Sequence, residues 1–256
     1  MRRLGRTGRE VLSQAAVQEA FDGGDHAQVL RLTEAILEQR PGDDAAHELR
    51  ARSLLALGRT DEAERHAADA VRLDPDEIRY RELLAQVLSA RGAHREAAGE
   101  YARLARDDPR QRAWTLAEAG ERLGAAQPGE AAEAARRAVR LDPRDAEAQL
   151  ALARALTLDG DAAGALAAAS AAAELRPGDA EVREALADAH WISGRRAAAF
   201  AAFAELAGEL SAGDLERVTA KARTLYRQRA GFVGRMLLAV PGIFGLALRR
   251  GWVRVE

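Results

Sequence analysis

The hexapeptide AVRLDP occurs twice in the chain, at Ala70–Pro75 and again at Ala138–Pro143. Its final proline belongs to a longer series spaced 34 residues apart, namely Pro41, Pro75, Pro109, Pro143 and Pro177. The hexapeptide therefore returns after two periods of this series. A fixed period in this range is typical of stacked supersecondary units, and it predicts a repeat architecture.

Each period contains two apolar stretches with a turn between them. In five periods the turn carries a glycine, at Gly24, Gly58, Gly92, Gly160 and Gly194. Glycine accommodates the conformation that ends a helix, and a proline inside a helix costs about 3 kcal/mol. The pattern therefore predicts one helix before each glycine and a second that ends near each proline. The fourth period has no glycine in phase, and there Pro128 is predicted to open the second helix.

Small side chains recur where the paired helices should cross. One column holds Val17, Ala51, Ala85, Ala119, Ala153 and Ala187. Twelve residues later, its partner column holds Val29, Ala63, Ala97, Ala131, Ala165 and Ala199. A third column alternates large and small residues: Ile36, Ala70, Leu104, Ala138, Ala172 and Leu206. Short side chains let two antiparallel helices approach closely while both bury a face, so these columns predict the core.

With these features the chain resembles the tetratricopeptide repeat (TPR) family. The period, the small crossing residues, the inter-helix glycine and the terminal Asp-Pro all match that family. The resemblance covers six repeats, at residues 10–43, 44–77, 78–111, 112–145, 146–179 and 180–213. It implies an all-α fold, a right-handed superhelical solenoid of antiparallel helix pairs. Arg50 and Glu118 depart from the pattern because they occupy a column that is usually apolar, and the sixth repeat lacks the terminal proline.

The charge of the chain is unevenly distributed. Residues 1–9 form a basic arm with four Arg, and residues 217–255 carry eight Arg, one Lys and no acid. The section between them holds 25 basic and 39 acidic residues. Binding to a phosphate backbone requires a basic surface, so no specific nucleic acid partner is expected for the repeats.

The sequence carries no recognisable catalytic, cofactor or metal motif. It has no Cys and no Gly-Lys of a phosphate-binding loop, and it lacks a G-x-S-x-G nucleophile motif. The histidines never fall four residues apart on one helix, which disfavours a helical metal pair. We therefore expect no catalytic residues, no cofactor site and no metal site, and a protein that is not an enzyme.

A solenoid of helical hairpins exposes a concave face built mainly from first helices, and such arrays bind peptides or proteins there. The phase of the repeats places the following residues on this groove: Gln14, Gln18, Glu48, Arg52, Arg79, Glu82, Gln86, Leu116, Leu150, Arg154, Glu184, Asp188 and Trp191. Chaperone-binding TPR domains hold a peptide carboxylate with Lys and Asn. This chain has no Asn, and its one Lys, Lys221, lies after the repeats. A protein or peptide partner is therefore expected, but not through that clamp.

After the repeats, residues 214–230 are predicted to form a capping helix, and residues 231–256 an apolar, basic tail. Met236–Leu248 carries no charge over 13 residues, fewer than the about 20 that a membrane-spanning helix needs. The tail either lies at an anionic membrane surface or packs on the solenoid or on a second subunit. The residues involved are Phe232, Met236, Leu237, Leu238, Ile243, Phe244, Arg249, Arg250 and Trp252.

These observations favour a non-catalytic scaffold or adaptor that binds a partner along the groove. The alternative is a membrane-associated TPR assembly factor or regulator held by its tail. No secretory signal is recognisable at the basic start, so the expected location is cytoplasmic, with a peripheral position at the inner face of the membrane as the variant.

Overall fold

The computed structural model of the chain describes residues 14–107 and 111–209. In this part of the chain all regular structure is helical, which confirms the predicted all-α class. The arm at residues 1–9, the capping helix at 214–230 and the tail at 231–256 lie outside the described residues. The helices are α1 (Gln14–Asp22), α2 (His26–Gln39), α3 (Asp44–Ala56), α4 (Thr60–Leu73), α5 (Ile78–Ala90), α6 (His94–Asp107), α7 (Gln111–Gly124), α8 (Pro128–Leu141), α9 (Ala146–Asp159), α10 (Ala162–Leu175), α11 (Ala180–Ile192) and α12 (Arg196–Glu209).

The helices fall into two compact units, with the division between Ala126 and Gln127. Unit 1 contains α1 to α7, and unit 2 contains α8 to α12. Within each unit, consecutive helices pack against each other. The first helices of neighbouring repeats also lie side by side, α1 with α3 and α3 with α5 in unit 1, and α9 with α11 in unit 2.

The columns of small residues are buried as the period predicts. Every member of the two crossing columns is at most 1% exposed, and every member of the third column is at most 3% exposed. In unit 1, Ala51 and Ala63 share a core cluster with Leu54 and Val87. In unit 2, Ala172 packs with Leu150 and Val182. Because interiors are close-packed, a longer side chain at one of the crossing alanines is expected to overpack the core.

Each first helix ends at the predicted turn. At the end of α3, the N–H of Gly58 donates to the Leu55 carbonyl and that of Arg59 to the Leu54 carbonyl, both at 2.9 Å. This is the Schellman arrangement, and Gly58 takes the left-handed conformation that it requires, with φ +72°. The other four phased glycines also have positive φ. In the fourth repeat Ala126 occupies the same place, with φ +55°, and α8 begins at Pro128 as predicted.

The second helices end where the prolines predict. α4, α8 and α10 stop at Leu73, Leu141 and Leu175, two residues before the proline of their repeat. The next first helix often opens on an aspartate, as in α11, where Asp179 accepts hydrogen bonds from two backbone N–H groups. Such a cap satisfies donors that have no partner within the helix.

The two polar departures from the family pattern are accommodated by local contacts. Arg50 on α3 donates from Nη1 to the Leu30 carbonyl at 2.7 Å and to Thr33 Oγ1 at 3.3 Å. Glu118 on α7 is 4% exposed, and Arg122 Nε lies 3.7 Å from its Oε1. Partners of this kind offset the cost of burying polar groups, so the helix pairs keep their packing.

Candidate binding face on the first helices

We call the exposed side of the first helices the first-helix face, and describe it separately for each unit. In unit 1, Glu48 on α3 lies beneath this face and is 5% exposed. Arg52 Nη2 lies 2.9 Å from Glu48 Oε1, and Arg79 Nη1, on the neighbouring α5, lies 3.5 Å from Oε2. A buried carboxylate needs such partners, since desolvation penalises an unpaired charge. Glu48 therefore holds two first helices together beneath the surface.

A second contact joins α3 and α5 at the start of both helices. Tyr80 Oη donates a hydrogen bond to Asp44 Oδ2 at 3.0 Å. Burial, together with this bond, raises the pKa of Tyr80 to about 12, so the phenol stays protonated as the donor. The guanidinium of Arg79 lies over the Tyr80 ring, 5.0 Å from its centroid. The contact fixes the orientation of Arg79 at the surface.

Ser89, His94 and Glu121 form a third contact in unit 1. Ser89 Oγ donates to Glu121 Oε1 at 2.6 Å, and His94 Nδ1 lies 2.8 Å from Glu121 Oε2. Both groups meet the carboxylate, so the trio lacks the serine–imidazole bond of a nucleophilic triad. Its arrangement is that of a link between α5, α6 and α7.

In unit 2, a contact between exposed side chains joins α9 and α11. Arg154 Nη2 lies 2.8 Å from Glu181 Oε2, and both side chains are largely in solvent. Near the end of α11 lies the half-buried Trp191, and the guanidinium of Arg196, the first residue of α12, lies 5.3 Å from the centroid of its ring. Exposed pairs of this kind contribute about 0–1 kcal/mol, so a bound partner can rearrange them at little cost.

The predicted groove residues differ in exposure. Exposed side chains belong to Gln14, Gln18, Arg79, Gln86 and Arg154. Half-buried side chains belong to Arg52, Glu82, Leu116, Asp188 and Trp191. Buried side chains belong to Glu48, Leu150 and Glu184. The first two groups have side-chain atoms at the surface, whereas Leu150 lies in the core of unit 2 against Val182.

Two contributors to this face were not identified from the sequence, namely the partners Tyr80 and Glu181. Tyr80 lies 36 residues after Asp44, and Glu181 lies 27 residues after Arg154. Each of these residues contacts the first helix of the preceding repeat. Comparing the residues of consecutive repeats at equivalent positions could have found them, whereas examining one helix at a time could not. The tail residues predicted from Phe232 to Trp252 lie outside the described residues.

Comparison with known families identifies the class of the protein. Sequence models of the tetratricopeptide repeat match residues 20–87 and 116–180. Together with the helix pairs and their 34-residue register, these matches show that the chain belongs to the tetratricopeptide repeat family. None of the curated proteins compared with the chain matches it by sequence.

Solved TPR structures share the fold at low sequence identity. The C-terminal part of a TPR repeat-containing protein from Cytophaga hutchinsonii has a TM-score of 0.70 and 13% identity, covering 93% of this chain and 96% of its own. PilW, a type IV pilus biogenesis factor, has a TM-score of 0.61 and 20% identity, covering 82% and 99%. YrrB, a TPR protein with an unusual peptide-binding site, has a TM-score of 0.54 and 16% identity, covering 85% and 97%.

The family and the fold define a protein–protein interaction scaffold. TPR proteins are generally non-catalytic, and binding to protein or peptide partners is their general role. In the part of the chain that the structure describes, no helix combines the length and apolar character needed to cross a membrane.

Proposed function

We propose that the protein is a non-catalytic scaffold or adaptor that binds a segment of a partner protein along the first-helix face. The observation that carries the proposal is the pairing of neighbouring first helices through their own groove residues. Glu48 joins α3 to α5 through Arg79, and Arg154 joins α9 to α11. The contact made by the buried Glu48 pre-organises the surface of unit 1, which lowers the entropy cost of binding there. The peptide-binding site described for YrrB supports the same use of this fold.

Side chains on α5 supply the polar groups that a partner segment needs. Gln86 is exposed, and its side chain has no hydrogen-bond partner among the described residues. Its amide can donate and accept, as the main chain of a bound segment requires. Glu82 lies one turn earlier, half-buried, and forms no ion pair within the described part of the chain. Arg79, by contrast, is already paired with Glu48 and Glu77. This balance favours a partner segment that carries a basic side chain.

In unit 2, the face offers an aromatic anchor. Trp191 is half-buried on α11, and the guanidinium of Arg196 lies over its ring. Tryptophan and arginine are enriched among the residues that dominate binding energy at interfaces. We therefore assign Trp191 the apolar contact in unit 2 and Glu82 the charged contact in unit 1.

The test uses peptides selected from a displayed random library on the intact protein. Their affinities are then measured by fluorescence anisotropy for the variants Glu82→Arg and Trp191→Ala. Each variant should bind the selected peptides that contact its face at least tenfold more weakly than the wild type does, which corresponds to about 1.4 kcal/mol. Circular dichroism should show unchanged helicity.

The matched control is Glu96→Arg, because Glu96 is an exposed residue of the second helix α6 and undergoes the same charge change. This variant should bind like the wild type. Equal losses in Glu96→Arg and Glu82→Arg would place binding on another surface. Wild-type affinity in both Glu82→Arg and Trp191→Ala would contradict the proposal.

A further inference from the structure

A cluster of three metal-ligating side chains lies away from the first-helix contacts described above. His47 on α3 and His66 on α4 bring their Nδ1 atoms to 3.0 Å from each other. Asp69, one turn after His66, places Oδ2 3.9 Å from His47 Nδ1. The three ligand atoms all lie within 4.8 Å of one another. His47 is buried while the other two residues are half-buried, so the cluster opens towards solvent on one side.

The proton on His47 is placed by a backbone carbonyl. Its Nε2 lies 3.1 Å from the carbonyl oxygen of Pro41, which can only accept a hydrogen bond. At the same place in later repeats, Arg81 and Gln149 donate to the equivalent proline carbonyls at 3.1 and 3.2 Å. Nε2 of His47 is therefore the donor. Its Nδ1 directs a lone pair towards His66 and Asp69.

His66 is neutral in this arrangement. Arg50 Nε donates to His66 Nε2 at 3.1 Å, so the ring carries its proton on Nδ1 and donates it to His47. Burial and the nearby charge of Arg50 lower the pKa of His66 to about 4.

We propose that His47 Nδ1, His66 Nδ1 and the Asp69 carboxylate bind one divalent transition-metal ion of the zinc type, with water completing the coordination. Imidazole nitrogens bind zinc at 2.0–2.1 Å, which separates two tetrahedral ligand atoms by about 3.3 Å. The spacings of 3.0 and 3.9 Å bracket this value. The bond from His47 to Pro41 is the outer-shell contact that orients a metal-bound histidine.

Metal binding changes the contacts of Arg50. The proton of His66 moves from Nδ1 to Nε2, so the ring stays neutral and Arg50 Nε loses its acceptor. Arg50 keeps its 2.7 Å bond to the Leu30 carbonyl. Asp69 faces the cluster with Oδ2, so its Oδ1 can keep the 2.9 Å contact with Arg72 Nη2. Arg50 therefore disfavours metal binding, because it stabilises the tautomer in which His66 Nδ1 is protonated. In Arg50→Gln, the amide oxygen can accept a hydrogen bond from His66 Nε2–H, so this variant should bind the metal more tightly.

The sequence expectation of no metal site rested on histidines compared along single helices. His47 and His66 are 19 residues apart and come from the two facing helices of one repeat. In the next repeat Arg81 and Glu100 occupy the same two places and form an ion pair at 3.0 Å. The repeat register brings these positions together, which a search within one helix does not detect.

The test is isothermal titration calorimetry of the intact, untagged protein with Zn²⁺ at pH 7.5. One ion per chain should bind saturably, and His66→Gln and Asp69→Asn should each weaken binding at least tenfold. His47→Gln should do the same without loss of helicity, because Gln149 shows that a glutamine makes the proline contact. The matched control is His94→Gln, since His94 is also half-buried beside a carboxylate in unit 1. This variant should bind Zn²⁺ like the wild type.

The variant Arg50→Gln distinguishes the proposed site from adventitious binding of Zn²⁺ to a surface histidine. Its affinity for Zn²⁺ should rise at least threefold, and Zn²⁺ should raise its thermal midpoint more than that of the wild type. An absence of saturable binding, or wild-type affinity in both His66→Gln and His47→Gln, would overturn the site. Unchanged or weaker binding in a folded Arg50→Gln variant would overturn the role given to Arg50.

Discussion

Ala126 has a backbone conformation that its side chain disfavours. Its φ of +55° lies in the left-handed region, at the position where the other described inter-helix turns have a glycine. A residue with a Cβ atom costs about 1–2 kcal/mol in this conformation. Glycine avoids that cost but gives the unfolded chain more freedom, which offsets about 0.4–1 kcal/mol. The turn in the fourth repeat therefore stores strain that its equivalents lack.

We expect Ala126→Gly to raise the free energy of unfolding by about 0.5–1 kcal/mol. Urea denaturation followed by circular dichroism measures the effect. The reverse change, Gly58→Ala, should lower it by at least about 0.5 kcal/mol, although no atom lies within 4 Å of the added methyl group. Shifts of the same sign in the two variants would contradict the explanation from backbone conformation.

Ala153 tests the helix crossing in unit 2. It is 0% exposed and lies in α9 at the first crossing column. Ala153→Leu should lower the free energy of unfolding by about 1–3 kcal/mol, because the extra methylenes overpack a filled interior. Ala167→Leu, on the exposed side of α10, is the control and should change it by less than about 0.5 kcal/mol. A smaller loss in Ala153→Leu than in the control would exclude close packing at this crossing.

Two opposing effects act on the charge of His190 at the end of α11. A helix C-terminus favours a positive charge, and His190 lies in the last turn of α11. Its pKa is nevertheless lowered, first by burial and then by the charge of Arg195. Among the described residues its Nδ1 is buried without a hydrogen-bond partner, so a proton there would be poorly solvated. Burial outweighs the helix dipole at this position.

The lowered pKa of His190 implies acid sensitivity of α11. The unfolded chain binds a proton at His190 near pH 6.5, whereas the folded chain resists it, so this stabilisation is present above about pH 6.5 and declines as the pH falls. His190→Gln should therefore lose less stability than the wild type between pH 7.5 and pH 5. Urea unfolding at both values measures the difference. An equal or larger loss in the variant would contradict a depressed pKa.

The period predicted the helices and their crossings because it depends on steric constraints that recur in every repeat. It predicted less about individual side chains, since neighbouring helices cover some positions and not others. Leu150 shares its phase with the half-buried Leu116, yet Val182 from α11 covers it. The turn before Pro128 was located correctly, but nothing in the residue types signalled a left-handed Ala126. Contacts between residues of different helices required the structure.

On the scale of the whole molecule, the basic, apolar tail is the feature that the sequence left with two interpretations. Residues 231–256 lie outside the described residues, so both stay predictions. If the tail meets a membrane surface, the intact protein should sediment with anionic vesicles more than with neutral ones. Salt should weaken this association in part, because it screens the arginines but not the apolar contact.

Deletion of residues 231–256 separates the two interpretations. On the membrane interpretation the shortened protein should stay in the supernatant with its helicity intact. Equal sedimentation of the intact protein with both vesicle types would exclude it. A lower unfolding midpoint or a changed oligomeric state in the shortened protein would instead indicate that the tail packs on protein.

His47 occupies a position that contacts the proline carbonyl in other repeats too, so the proposed metal site can be transferred to another repeat. One period later, the three ligand positions are held by Arg81, Glu100 and Arg103. Leu84 stands in that repeat where Arg50 stands in the other, so the arginine that opposes an ion at His66 has no equivalent there. A second site can be engineered by the triple change Arg81→His, Glu100→His and Arg103→Asp. The number of ions bound per chain would then equal the number of repeats that carry the three ligands, so the metal stoichiometry could be set by design.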